Sequence, residues 1–79
     1  VPEINFMVIQ SEIPNVLVAQ GIESDLCVQG KSIEDLQRRA QTQIDYYVVG
    51  KDLPEAPPAD VVTDTQNAGL VGTFKLLVP

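Results

Sequence analysis

Cys27 is the only cysteine of the chain, and histidine is absent altogether. A thiol nucleophile needs a base beside it, and no imidazole is there to serve. Cys27 lies between Leu26 and Val28, in an apolar run that reads as a strand, so its expected role is structural. Glu23 and Asp25 are two carboxylates one residue apart on a polar bend. Together with Asp64 they would have to converge to give a degenerate nuclease its metal-binding cluster, and a pair at that spacing reads as a solvated loop. Arg38-Arg39 has the charge to clamp a phosphate, but it sits among acids and reads as a solvated helix face. Tyr46-Tyr47 has the rings to stack on a base; at the end of an amphipathic helix, Tyr47 is expected in the core and Tyr46 at its rim. Gly30 and Gly69-Gly72 match the spacing of neither GxxxxGK[ST] nor GxGxxG. The residue types therefore point to no catalytic residue, no cofactor, no metal ligand and no enzyme.

The remaining composition narrows the partners. Seventy-nine residues with formal charge −6, from five Lys and Arg against eleven Asp and Glu, make one small acidic domain over residues 1–79. Such a domain buries a modest share of its surface and is marginal alone. The acid excess repels phosphate backbones. The cations do not gather either: Lys31, Arg38 and Arg39 lie near one helix, while Lys51 and Lys75 are isolated. No direct nucleic-acid binding is expected, and a basic protein is the better partner. A single thiol fits a reducing cytoplasm. No run is apolar enough to span a membrane, and the first residues, with Glu3 and Asn5, lack the basic start of a signal peptide.

The elements that position these residues follow from periodicity. Ile4 to Gln10 reads as a first strand, with Ile4, Phe6 and Val8 on one face and Asn5, Met7 and Ile9 on the other. Pro14-Asn15 marks a turn, and Val16 to Gln20 follows as a β-branched second strand. Leu26 to Gln29 is a short third strand closed by Gly30-Lys31. Ser32 is an N-cap with Asp35 placed to reach back, and Glu34 and Asp35 suit the helix dipole. Ile33, Leu36, Ala40, Ile44, Tyr47 and Val48 recur at helical spacing as one buried stripe, with Gly50 expected at C′. Residues 50–60 form a Pro-rich extended connector. Val61-Val62-Thr63 is expected either to pair briefly as strand or to pack, Gln66 to Gly69 to turn, and residues 70–78 to form a last strand that Gly72 weakens or bulges.

This order predicts an α+β fold: a small antiparallel sheet of three to four strands with one helix on one face, β-β-β-α-β. The core is expected within residues 4–49. Met7, Ile9, Leu17, Ala19 and Leu77 are the expected apolar lining of the sheet's second face, too much for water alone. A second subunit is the economical cover, with pairing of the 70–78 strand at the sheet edge as one route. The expected state is a homo-oligomer, dimer or higher.

The hairpin and the segment Gly30-Lys31-Ser32-Ile33-Glu34-Asp35-Leu36 together resemble the HicB-like antitoxin family. Its members enter a single helix through G-x-[ST]-x-[ED]-[ED]-[AL]. The resemblance covers about residues 4–49. It implies a partly degraded ribonuclease H-like domain that binds a small basic toxin and masks its RNA-cleaving site, without catalysis of its own. The family's usual Pro-Gly-Cys turn is replaced here by Gly21 to Asp25, and no toxin-contact residue is carried over. No helical DNA reader is expected after Val49. The alternative is a stand-alone structural or accessory oligomerisation protein of a phage or mobile element that keeps this fold without toxin inhibition.

Overall fold

Alternation at period two builds the sheet. In the computed structural model, which describes residues 3–50 and 52–79, β1 (Glu3–Gln10) pairs antiparallel with β2 (Leu17–Gly21), and β2 with β3 (Cys27–Gly30). The chain then forms α1 (Ile33–Gly50), α2 (Ala59–Asn67) and β4 (Leu70–Leu77). β4 returns antiparallel along the free side of β1, giving the order β3-β2-β1-β4. The fold is α+β with a four-stranded antiparallel sheet, and it has two helices where one was expected.

The β1–β2 turn is fixed locally. Asn15 takes a left-handed φ of 65°, a conformation that asparagine tolerates better than most residues. Gln10 Nε2 donates to the carbonyls of Ile13 (3.1 Å) and Val16 (3.0 Å). At the β4 end, Val8 faces Gly72 while Ile9 faces Leu70, so a bulge sits at Val71. Gly72 itself is held by packing: a Cβ there would lie 2.8 Å from Ile33 Cδ1.

Residues opposite one another in an antiparallel ladder share a face. The row Gly72, Val8, Ala19, Val28 and the pair Phe6, Phe74 therefore look the same way. On that face α1 lies chiefly along β3 and also touches β2 and β4. Leu36, Ala40 and Ile44 are fully buried against Ile4, Phe6, Val8, Ala19, Leu26 and Val28. Ile33 and Tyr47 pack at the ends of the stripe. Val48 does not join it: in the last turn of α1 both Val48 and Val49 are exposed. Gly50 stays helical and takes no positive φ, so it is not the expected C′ residue.

Register also corrects the second face. Ala19 opposes Val8 and Leu17 opposes Gln10, which places both on the α1 side; Ala19 is buried and Leu17 packs against the cluster there. Val18 and Gln20 instead share the outer face with Ile9 and Met7. Apolarity alone could not assign the phase of β2, because neighbouring positions are all apolar.

The connector is shorter and better anchored than its composition suggests. Ser24 Oγ donates to the Pro54 carbonyl (2.7 Å), and the Asp25 amide donates to the Glu55 carbonyl (2.8 Å). Leu53 packs against the core and Pro57 is buried. Lys51, an isolated cation at the head of the expected connector, lies outside the described residues. Residues 59 and 60, assigned to the connector by composition, already belong to α2.

Of the two expectations for Val61-Val62-Thr63, strand pairing is overturned, because the segment lies in α2, while Val61 and Val62 do pack, half-buried. Pro58 stands at the N-cap position of α2 without a side-chain cap, Asp60 lies in its first turn, and Ala68 closes it before Gly69 turns at φ +92°. Val61, Val62 and Thr65 are the half-buried positions, with Thr65 four residues after Val61 and three after Val62, the spacings that share a helix face. α2 touches β1 and β4. Met7 is buried on the face away from α1, outside the α1-side cluster. α2 thus covers part of the second face from within the chain.

Candidate functional site

The strand-to-helix entry organises around Asp35. Ser32 Oγ accepts the Asp35 amide (3.1 Å), and Asp35 Oδ2 accepts the Lys31 amide (3.1 Å). This is the reciprocal arrangement of a capping box, displaced by one residue: the carboxylate reaches the amide before the cap. Gly30 makes room for it, since a Cβ there would stand 2.7 Å from Asp35 Oδ2 and 3.2 Å from its Cγ. Arg38 Nη2 bonds Asp35 Oδ1, and Arg39 Nε lies 3.3 Å from both oxygens. The Lys31 amide first, then the Arg38 guanidinium, hold the Asp35 carboxyl below its ordinary pKa.

These contacts border an open groove lined in part by Gln29, Lys31, Glu34, Arg38 and Arg39. A phosphate clamp requires free guanidinium donors and free helix amides. Here Arg38 commits Nη2 and Arg39 commits Nε to Asp35, whose Oδ2 also takes the Lys31 amide just outside the helix. Arg38 and Arg39 are 74% and 58% exposed, a solvated helix face as expected, and each also reaches the Asp35 carboxylate.

The bend before β3 is a second polar cluster. Asn5 donates to Glu23 through its backbone amide (2.6 Å to Oε1) and its side-chain amide (2.8 Å to Oε2). Burial pushes the Glu23 carboxyl up, but these two bonds and Glu23's own amide outweigh it, and the net shift is downward. Asp25 Oδ1 accepts Gln20 Nε2 (3.0 Å). Gly21 must be glycine: a Cβ would fall 2.3 Å from the Ser24 carbonyl oxygen. Glu23 and Asp25 thus serve as hydrogen-bond acceptors that shape the bend. Among the described residues no three of His, Cys, Asp and Glu converge as a metal site, so Glu23, Asp25 and Asp64 do not form the cluster a nuclease would need.

The chain matches no protein-family model, no curated protein and no solved structure.

Other singled-out residues fall as follows. Cys27 is exposed rather than packed inside its strand, because its side chain alternates to the outer face while Val28 points inward. Partial burial of the thiol, then the Asp25 carboxylate, raises its pKa, the opposite of what a reactive cysteine requires. Tyr47 packs at the edge of the core and Tyr46 is exposed, with their rings edge-to-face at 5.5 Å. Among the described residues no helix is long and apolar enough to cross a membrane.

The exposed surface is dominated by acids. Glu12, Glu34, Asp45, Asp52, Glu55, Asp60 and Asp64 all face solvent. Arg38 and Arg39 fold onto Asp35, and Lys75 Nζ lies 3.8 Å from Glu3 Oε2. The hydrogen-bonded connector and α2, which carries two of these acids, are what sequence reasoning missed. The periodic triplet Val61, Val62, Thr65 between Pro58 and Gly69 was the available signal.

Proposed function

We propose that this chain is a non-enzymatic protein-binding domain of HicB-like type that acts in the cytoplasm by masking a small basic RNA-cleaving toxin. The observation that carries the reading is the acid excess, eleven Asp and Glu against five Lys and Arg, together with where the cations lie. Three of the five Lys and Arg of the sequence stand against the chain's own carboxylates, Arg38 and Arg39 on Asp35 and Lys75 near Glu3. The acids of α2 and of the outer side of α1 stay in water. An anionic surface of this kind steers a basic partner and competes for a groove built to hold RNA. The Gly30, Ser32, Glu34, Asp35 and Leu36 pattern supports the same reading, as the physical entry to α1.

An RNA-cleavage assay tests it, with a small basic protein, should the adjacent reading frame encode one, as the cleaving partner. Stoichiometric addition of the chain is expected to suppress cleavage, and added salt to restore it. Unchanged cleavage with the chain in excess overturns the antitoxin reading. One observation favours the alternative, an accessory oligomerisation protein: β4 leaves apolar side chains exposed at the edge of the sheet. Phage structural genes alongside, in place of a basic reading frame, would support that alternative.

A further inference from the structure

The two edges of the sheet are unlike. β3 is four residues long, and the bend leading into it is hydrogen-bonded to the connector. β4 is eight residues long, with Lys75 its one charged side chain. Leu70, Val71 and Leu77 on it are exposed at 44%, 55% and 56%. Among the described residues, no hydrogen bond outside the β1 ladder reaches residues 70–77. A long apolar edge left bare is a template for another strand.

We propose that β4 pairs antiparallel with β4 of a second copy of this chain, in a register centred on Phe74, to make one continuous eight-stranded sheet. Phe6 and Phe74 stack across the existing ladder with ring centroids 4.9 Å apart and planes inclined by 13°. That separation equals the spacing of neighbouring strands, about 4.7–4.9 Å. A second Phe74 added at the same spacing extends the stack to four rings. In this register Val71 meets Leu77 of the second copy, twice by symmetry, so exposed apolar side chains cover one another. Thr73 meets Lys75, and Gly72 leaves room for Leu76. Residues that face one another must share a side of the sheet, so the register can slip only in steps that keep this parity. One such step sets Lys75 against Lys75; the opposite step sets Val71 against Lys75 and leaves Leu77 facing Gly69. The Phe74 centre alone avoids both.

This self-pairing is independent of toxin masking: a dimer that binds no basic protein would leave it standing. The test is sedimentation equilibrium of the full chain from low micromolar to near-millimolar concentration. Wild type is expected to be dimeric in the upper part of that range. Val71→Lys with Leu77→Lys, both at exposed positions, is expected to weaken the dimer about tenfold or more by setting like charges opposite one another. Val71→Lys with Leu77→Glu is expected to restore it, because each Lys then faces a Glu across the pair. Wild type that stays monomeric throughout, a Lys–Lys variant that still dimerises normally, or a Lys–Glu variant that fails to recover would each overturn the proposal. Amide exchange on wild type is the readout that needs no variant: protection within β4 must rise with concentration, and protection that does not change counts against pairing.

Discussion

Asp35 stands directly against Gly30. The nearest carboxylate oxygen lies 2.7 Å from where a Gly30 Cβ would be, and it is held there by the Lys31 amide and two guanidinium groups. Glycine at the end of β3 and the acid three positions into α1 are therefore one device. Gly30→Ala is expected to destabilise by about 1–3 kcal/mol through overpacking. In an Asp35→Ala background the same change should cost much less, since the two closest atoms, Oδ2 and Cγ, are gone. A double-mutant cycle by denaturant melting measures that coupling; strictly additive effects would mean the two positions do not touch.

Acid sensitivity follows from the carboxylates. Asp35 and Glu23 are both held below their ordinary pKa in the folded chain. The unfolded state then binds more protons than the native state in the interval between the two values, and stability rises with pH there. Their contribution is fully present above the ordinary carboxylate range, about pH 4, and is lost as pH falls through the lowered folded values. Asp35→Asn and Glu23→Gln, melted as a function of pH, should each flatten the acid limb relative to wild type. An acid limb unchanged in both variants contradicts the assignment.

How much of this was legible in the sequence depends on which physical signal each residue carries. The cap at Ser32, the reach-back by Asp35 and the stripe Ile33, Leu36, Ala40, Ile44, Tyr47 are local, periodic and visible in residue order. The phase of Leu17 and Ala19 is not local, because it is set by pairing with Gln10 and Val8 across the sheet. α2 was obscured by the β-branched pair Val61-Val62 and by prolines that suggested extension throughout; its helicity is supported by packing on β1 and β4, which residue order does not display. The exposure of Cys27 is the same lesson in one residue: its neighbours are buried, and alternation turns it outward.

The helix should respond to core and cap as separate quantities. Leu36→Ala or Ile44→Ala opens a cavity at a fully buried site and is expected to cost about 2–5 kcal/mol. Ser32→Ala removes the acceptor for the Asp35 amide at roughly 0.5–2 kcal/mol. Thermal or denaturant melts decide; near-neutral results at all three positions would mean that α1 does not lie on this sheet.

The connector should behave as a fixed strap. Ser24 is buried and donates to the Pro54 carbonyl, so Ser24→Ala leaves that acceptor without its partner and is expected to cost about 1–3 kcal/mol. The Asp25 amide, bonded to the Glu55 carbonyl, should be protected from hydrogen exchange in wild type and lose protection in the variant. Rapid exchange of that amide in wild type would show a loose connector.

The central claim is that an anionic surface, left uncompensated by the chain's own cations, receives a basic protein. Calorimetric titration with a small basic protein, should the adjacent reading frame encode one, addresses it most directly, at two ionic strengths. The account predicts saturable binding at micromolar affinity or tighter, one partner per chain, weakening as salt is raised. No binding at micromolar concentration and low salt, with both proteins folded, would contradict it.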